Sequence, residues 1–251
     1  MLIASSFLFA FLLACLGLYT LYKVRLIHLQ LSELRELWPQ GPLYLFRQLE
    51  ALHSLYVDLA LEKSLPGTRG WAGSPDFLME LANHARAHVP ARVVECGSGT
   101  STLVLARCMQ LNGAGKVYSL EHDAHFAEQT REQLRRHGLS DWAEVLHAPL
   151  QQHALGGAVW SWYASGVLPA ELRFDMLVID GPPMATGELA RYPAGPLLFH
   201  RLDGGASVFM DDAGRPDEQA ILHRWKNEFP AFEQSSRYCE KGCAVLRQGS
   251  H

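Results

Sequence analysis

Leu2 to Tyr22 carry no charged side chain and are mostly Leu, Phe and Ala. At 1.5 Å of rise per residue, about 20 such residues cross the hydrocarbon core of a bilayer. The stretch predicts a transmembrane anchor over residues 1–22. A secretory signal peptide would want a basic start and a shorter apolar run closed by a small-x-small site. Here no Lys or Arg precedes the run, and it passes straight into Lys23 and Arg25. By the positive-inside rule those two residues place the rest of the chain in the cytoplasm. The expectation is a single-pass protein of a bacterial-type inner membrane, the rest of the chain facing the cytoplasm. Val24, Ile27, Leu31, Leu34 and Trp38 then repeat at helical spacing, and Pro39-Gln40-Gly41-Pro42 ends the run. Leu45, Leu49, Leu52, Tyr56 and Leu59 mark a second amphipathic helix. Residues 23–70 thus read as a juxtamembrane helical region ending in the linker-like Ser64 to Gly70. Its two apolar faces pack on each other, on the following domain, or on a second copy to form a homo-oligomer.

From residue 71 to 251 apolar runs alternate with helical patterns. Val93 to Cys96, Lys116 to Leu120, Ala143 to His147, Phe174 to Asp180 and Ala206 to Asp211 read as strands, and Phe232–Tyr238 with Ala244–Arg247 as a closing hairpin. Helices are expected over Asp76–His88, from Leu103 on, and over Ala124–Arg136, Gly187–Leu202 and Asp217–Phe229. The first of these starts at Ser74-Pro75-Asp76, a residue order suited to an N-cap. Residues 155–171, with Trp160, Trp162 and Tyr163, read as less regular. Alternating strand and helix gives an α/β, Rossmann-like, doubly wound and mostly parallel seven-stranded sheet.

Composition narrows the partners. The 251 residues carry a net charge of −4, and no run of Lys and Arg exceeds two, which leaves no footprint for nucleic acid. The five cysteines form no pair of Cys-x-x-Cys motifs, so they read as free thiols rather than as a zinc site.

The candidate chemistry starts at Glu95-Cys96-Gly97-Ser98-Gly99-Thr100-Ser101-Thr102, a glycine turn between a strand and a helix start. Such a corner binds nucleotides in open α/β sheets. Glu121 ends the next strand and would accept hydrogen bonds from a ribose diol. Dinucleotide enzymes want a third glycine where Thr102 stands, and Glu95 at the turn suits a cationic ligand better than a pyrophosphate.

Glu-x-Gly-x-Gly followed by a later Glu resembles the class I S-adenosylmethionine-dependent methyltransferases. The resemblance implies S-adenosyl-L-methionine as cofactor, with Glu95 near the methionine moiety and Glu121 on the ribose. Gly97, Ser98, Gly99, Ser101, Thr102, His122, His147 and Asp180 complete the expected cofactor site. The wider pattern resembles a bacterial catechol-O-methyltransferase-like group: Glu95 to Thr102, Leu120-Glu121-His122-Asp123, Trp162-Tyr163, Asp180-Gly181-Pro182-Pro183, Asp211-Asp212, and Arg215 with Glu218. That resemblance implies a metal site at Asp180, Asp211 and Asp212, with Mg²⁺ as the ion. Three close carboxylates also repel unless protonated or bridged by a cation.

The lysine that acts as base in the catechol enzymes is replaced here by Pro183. Asp180 and His200 are the expected catalytic residues, with His147 as another candidate base. The function so implied is O-methylation of a small-molecule or lipid acceptor. N-methylation of a protein or amine, a non-catalytic cofactor-binding scaffold, and a Rossmann oxidoreductase stay open as alternatives.

Overall fold

A computed structural model of the chain describes residues 2–37 and 40–248. Trp38 and Pro39, the end of the expected juxtamembrane seam and its terminator, lie outside the described residues. The chain divides into two compact units, one up to Arg47 and the other from Gln48. In the first unit, helix α1 (Leu2–Leu37) runs without a break past Tyr22, and helix α2 (Gln40–Asp58) begins. Gly41 and Pro42 fall in the first turn of α2, where a missing N–H costs nothing. Within α1, Leu12–Ser32 is long and apolar enough to cross a membrane, and every side chain in it is exposed.

The second unit carries seven strands in one sheet: β1 (Arg92–Cys96), β2 (Lys116–Glu121), β3 (Ala143–His147), β6 (Phe174–Ile179), β7 (Leu202–Asp211), β8 (Phe232–Arg237) and β9 (Cys243–Gln248). Their order is β3-β2-β1-β6-β7-β9-β8. The first five lie parallel, and β9 is antiparallel to both β7 and β8. This is the expected doubly wound sheet with its terminal hairpin. Helices α3 (Pro75–His88), α4 (Thr100–Asn112), α5 (Ala124–His137) and α7 (Pro216–Glu228) flank it.

Alternation along each strand divides the core between the two faces. Val93, Met176, Val178 and Phe209 face one way, onto Phe77 and Leu81 of α3, Val104 of α4, and Leu55 and Leu59 at the end of α2. Val94, Leu177, Ile179 and Val208 face the other way, onto Ile221 and Trp225 of α7 and onto Trp162 and Tyr163.

Three local expectations are corrected. Residues 150–163 form a hairpin, β4 (Leu150–Leu155) and β5 (Ala158–Tyr163), paired from Leu155↔Ala158 outward. Its turn is Gly156-Gly157, with φ of 58° and 81°, the backbone that a two-residue hairpin loop requires. The helix expected over 187–202 shrinks to α6 (Ala194–Leu198) with single turns at Met184–Thr186 and Phe199–Arg201. Pro193 and Pro196 lack the N–H groups that a longer helix needs. Finally, the Ser74 side chain does not cap α3: its hydroxyl donates to Asp76 Oδ1 at 2.6 Å, and Asp76 Oδ2 accepts from the Glu240 N–H at 2.8 Å.

Candidate active site

The chain turns sharply after β1. Gly97 and Gly99 have φ of 104° and 145°, which lets the backbone cross the carboxyl end of the sheet before α4 begins. Thr102 locks the turn, its hydroxyl accepting from the Gly99 N–H at 3.0 Å and donating to Glu95 Oε2 at 2.6 Å. Ser119 Oγ lies 2.9 Å from both Glu95 Oε2 and the Gly97 carbonyl, and its single proton serves one of them at a time. Glu95 is fully buried and Oε1 has no partner. Burial therefore raises its pKa to about 7 against the hydrogen bonds that stabilise the anion.

At the tip of β2, Glu121 holds the same turn from the other side. Its Oε2 accepts from the N–H and hydroxyl of Ser98 at 3.1 and 2.9 Å, and Oε1 accepts from the Asp123 N–H at 3.0 Å. His122 Nδ1 stands 3.0 Å from the same Oε1.

A cleft of about 590 Å³ opens over these strand ends. Gly97, Ser98, Gly99, Ser101, Glu121, His122 and Asp180 line it, together with Tyr163, Gly181 and Pro183. Trp71 and Phe126 form an apolar rim, their ring centroids 6.1 Å apart. Tyr163 reaches the cleft from the end of the β4–β5 hairpin, fully buried and with its hydroxyl unpartnered. That hairpin is pinned to α7, where the Arg224 guanidinium stacks 3.9 Å over Tyr192 and 5.6 Å from the Trp160 ring centroid.

The remaining expected residues fall elsewhere. Glu95 and Thr102 lie beneath the turn rather than in the cleft. His147 pairs in register with Glu121 but is exposed outside the lining. His200 is placed at the wrong edge for catalysis: it precedes the first residue of β7 and lines a separate groove with Leu197 and Arg201. The ten residues of β7 span roughly 30 Å, which separates His200 from the acids at the strand's other end.

Those acids do converge. Asp180 follows β6, Asp211 ends β7, and Asp212 has a left-handed φ of 58° that folds the chain back at once. Ligand oxygens of all three lie within 4.8 Å of one another. Asp212 does not cap α7, and its Oδ2 pairs with Arg191 Nη2 at 2.8 Å and Arg215 Nη1 at 2.9 Å. Burial, then the neighbouring charges of Asp180 and Asp212, push the Asp211 carboxyl well above the usual range. Burial also raises Asp180 to about 7, opposed first by Arg191.

Sequence reasoning missed Arg191. It stands between the carboxylates, with Nη2 3.6 Å from Asp180 Oδ1 and Nη1 3.6 Å from Glu218 Oε1, and its side chain is only 4% exposed. Arg191 Nη2 thus sets a cation between Asp180 and Asp212, among acids whose oxygens are close enough to hold a metal ion. The one signal for Arg191 was a lone arginine in the otherwise apolar stretch around Ala190 and Tyr192.

Comparison with known proteins bears on the cleft. Residues 94–213 match the family model described as "Methyltransferase domain", and the match begins in β1 and ends just past Asp212. Over that stretch, just under half of the chain, the sequence is similar to the methyltransferase-domain family. No curated protein matches the sequence. Among solved structures, the chain is similar to the Podospora anserina methyltransferase PaMTH1 bound to SAH (15% identity, TM-score 0.57, 80% of this chain and 88% of that one). It is also similar to an O-methyltransferase from Bacillus cereus in complex with SAH (18%, 0.54, 80% and 91%). A third is the O-methyltransferase TomG from Streptomyces achromogenes, involved in tomaymycin synthesis and solved with SAM (18%, 0.53, 81% and 89%). At these identities the likeness is one of fold, and this chain shares their sheet.

Proposed function

We propose that this chain is a membrane-anchored O-methyltransferase that methylates a small or lipophilic hydroxyl compound. The observation that carries the reading is the cleft, with the glycine turn and Glu121 on one wall and Asp180 and the Tyr163 hydroxyl on the other. S-adenosylmethionine fits it: Glu121 lines the cleft as a ribose acceptor, and the positive-φ glycines let a ligand approach the backbone closely. When bound, this molecule supplies a methyl group on a sulfonium, ready for in-line displacement.

The chain's own contribution is positioning. Glu121 and Ser98 hold the ribose hydroxyls, and the Ser98 hydroxyl that now donates to Glu121 is free to turn to a ligand. Asp180 accepts the acceptor's O–H, and the unpartnered Tyr163 hydroxyl donates to its oxygen. The apolar rim of Trp71, 78% exposed, and Phe126 suits a hydrophobic acceptor body. Helix α1 holds the protein in the bilayer where such acceptors concentrate, and Lys23 and Arg25, which follow the uncharged Leu2–Tyr22 run, favour a cytoplasmic domain.

Calorimetry of the full chain in detergent with S-adenosylhomocysteine and with NADH is the first test. Binding of the former alone is expected, and binding of NADH alone overturns the reading. Transfer of labelled methyl to a lipid and phenol extract should then yield ether or ester products. N-methyl products would move the acceptor to nitrogen.

A further inference from the structure

We infer that the Arg191 guanidinium takes the place of a divalent cation at the acidic cluster, and that this chain works without metal. The inference about turnover rests on the function proposed above, whereas the inference about cation binding does not.

A bound cation would join the ends of neighbouring strands and gather their acids. Arg191 already does both. Nη2 donates to the Asp180 carbonyl at 2.6 Å, beyond β6, and Nη1 to the Asp211 carbonyl at 2.9 Å, at the end of β7. The same two nitrogens face the carboxylates of Asp180, Asp212 and Glu218. Fixed at both strand ends and almost wholly buried, the guanidinium is held among the carboxylates.

Asp212 is the least available ligand of the three. Its Oδ2 takes both Arg191 and Arg215, and Lys241 Nζ stands 3.9 Å from Oδ1. Mg²⁺ demands oxygens at about 2.0–2.1 Å in near-octahedral geometry. An ion on the unpartnered Asp212 Oδ1 would set a divalent charge beside the buried guanidinium and the Lys241 ammonium. Asp211 has both oxygens unpartnered and Asp212 has Oδ1, but the charges of Arg191, Arg215 and Lys241 already compensate this cluster.

Guanidinium cannot act as a Lewis acid, so Arg191 is a positioning residue: it fixes Asp180 at the cleft wall. Mn²⁺ is the probe for the test. In spin-resonance titration the full-length protein in detergent should take up no stoichiometric Mn²⁺, and EDTA should leave transfer unchanged. Arg191→Ala removes the competing charge and should bind Mn²⁺ at least about tenfold more tightly than the wild type. A structural role alone would not create that affinity. One tightly bound Mn²⁺ per wild-type chain, or activity lost in EDTA and restored by Mg²⁺, overturns the inference. So does a folded Arg191→Ala chain that gains no affinity. If that variant fails to fold, the wild-type titration decides alone. If no acceptor is ever methylated, the proposed function fails while the Mn²⁺ result still stands.

Discussion

The Thr102 hydroxyl sits between the Gly99 N–H and the carboxylate of Glu95, donating to Oε2 at 2.6 Å. One side chain thus closes the glycine turn and donates to a fully buried acid beneath it. A glycine at this position, as in dinucleotide sites, would leave both groups short of a partner.

Thr102→Val keeps the shape and removes the donor. Leaving Glu95 with one fewer hydrogen bond should cost about 1–3 kcal/mol of stability. Thr102→Ser, which keeps the hydroxyl, should cost less. Urea denaturation of the two variants gives the comparison, and equal midpoints would mean that the hydroxyl contributes nothing to the fold.

Burial raises the Glu95 pKa from 4.5 to about 7, so the folded state holds its proton more tightly than the unfolded chain. The resulting stability is fully present below about pH 4.5 and is lost as pH rises through about 7. The full shift is worth on the order of 3 kcal/mol. Glu95→Gln has no proton to lose, so between pH 6 and 8 its stability should fall less than that of the wild type. His84, held at about 4 by burial and the nearby charges of His88 and Arg247, acts in the opposite sense but only below its ordinary 6.5. Parallel curves for wild type and Glu95→Gln in that window would remove the assignment.

Much of this arrangement was legible in the sequence. The central strands are apolar because both faces are covered, and that alone marks β1, β6 and β7. The acids at their ends follow from strand order. What stayed hidden depends on distant contacts or on turns read too loosely. Gly156-Gly157 between two six-residue runs is a hairpin signal, yet the polar Gln151 and Gln152 masked the alternation. Arg191 looks like a helix-surface residue until the prolines break that helix and send the side chain inward. His200 precedes β7 wherever that strand begins, at the end opposite Asp211, so chain order alone sets it apart from the acids.

Glu121→Ala should weaken S-adenosylhomocysteine binding by about 1.5–3 kcal/mol, or roughly 10- to 150-fold, through loss of charge-assisted hydrogen bonds. The Ser98 N–H also loses its acceptor, so Ser98 and the turn around it should become more mobile in hydrogen exchange. An unchanged dissociation constant in a folded variant would place the ribose elsewhere.

Deleting residues 1–22 should release the protein from membranes while cofactor binding persists, because the sheet starts at Arg92. Flotation on a sucrose gradient reads the first outcome and calorimetry the second. If the shortened chain still floats with membranes, the attachment lies in the rest of α1, which continues to Leu37.

Gly181 lies against the Tyr163 hydroxyl so closely that a Cβ would meet the oxygen at 2.3 Å, with the Cys96 carbonyl at 3.3 Å and Gly97 Cα at 3.4 Å behind it. Tyr163 is fully buried, with Trp162 edge-on at 5.0 Å and His122 at 6.2 Å, so it has little room to give way. Gly181→Ala should therefore destabilise by about 1–3 kcal/mol, the usual cost of overpacking. It should also weaken S-adenosylhomocysteine binding, because the displaced atoms include the glycine turn. Tyr163→Phe removes the clashing oxygen, so the double variant should recover part of the stability, with the remaining loss set by Cys96 and Gly97. A double-mutant cycle in urea measures the coupling directly. Additive effects would show that the hydroxyl does not stand over Gly181, and would withdraw Tyr163 from the proposed contact with the acceptor oxygen.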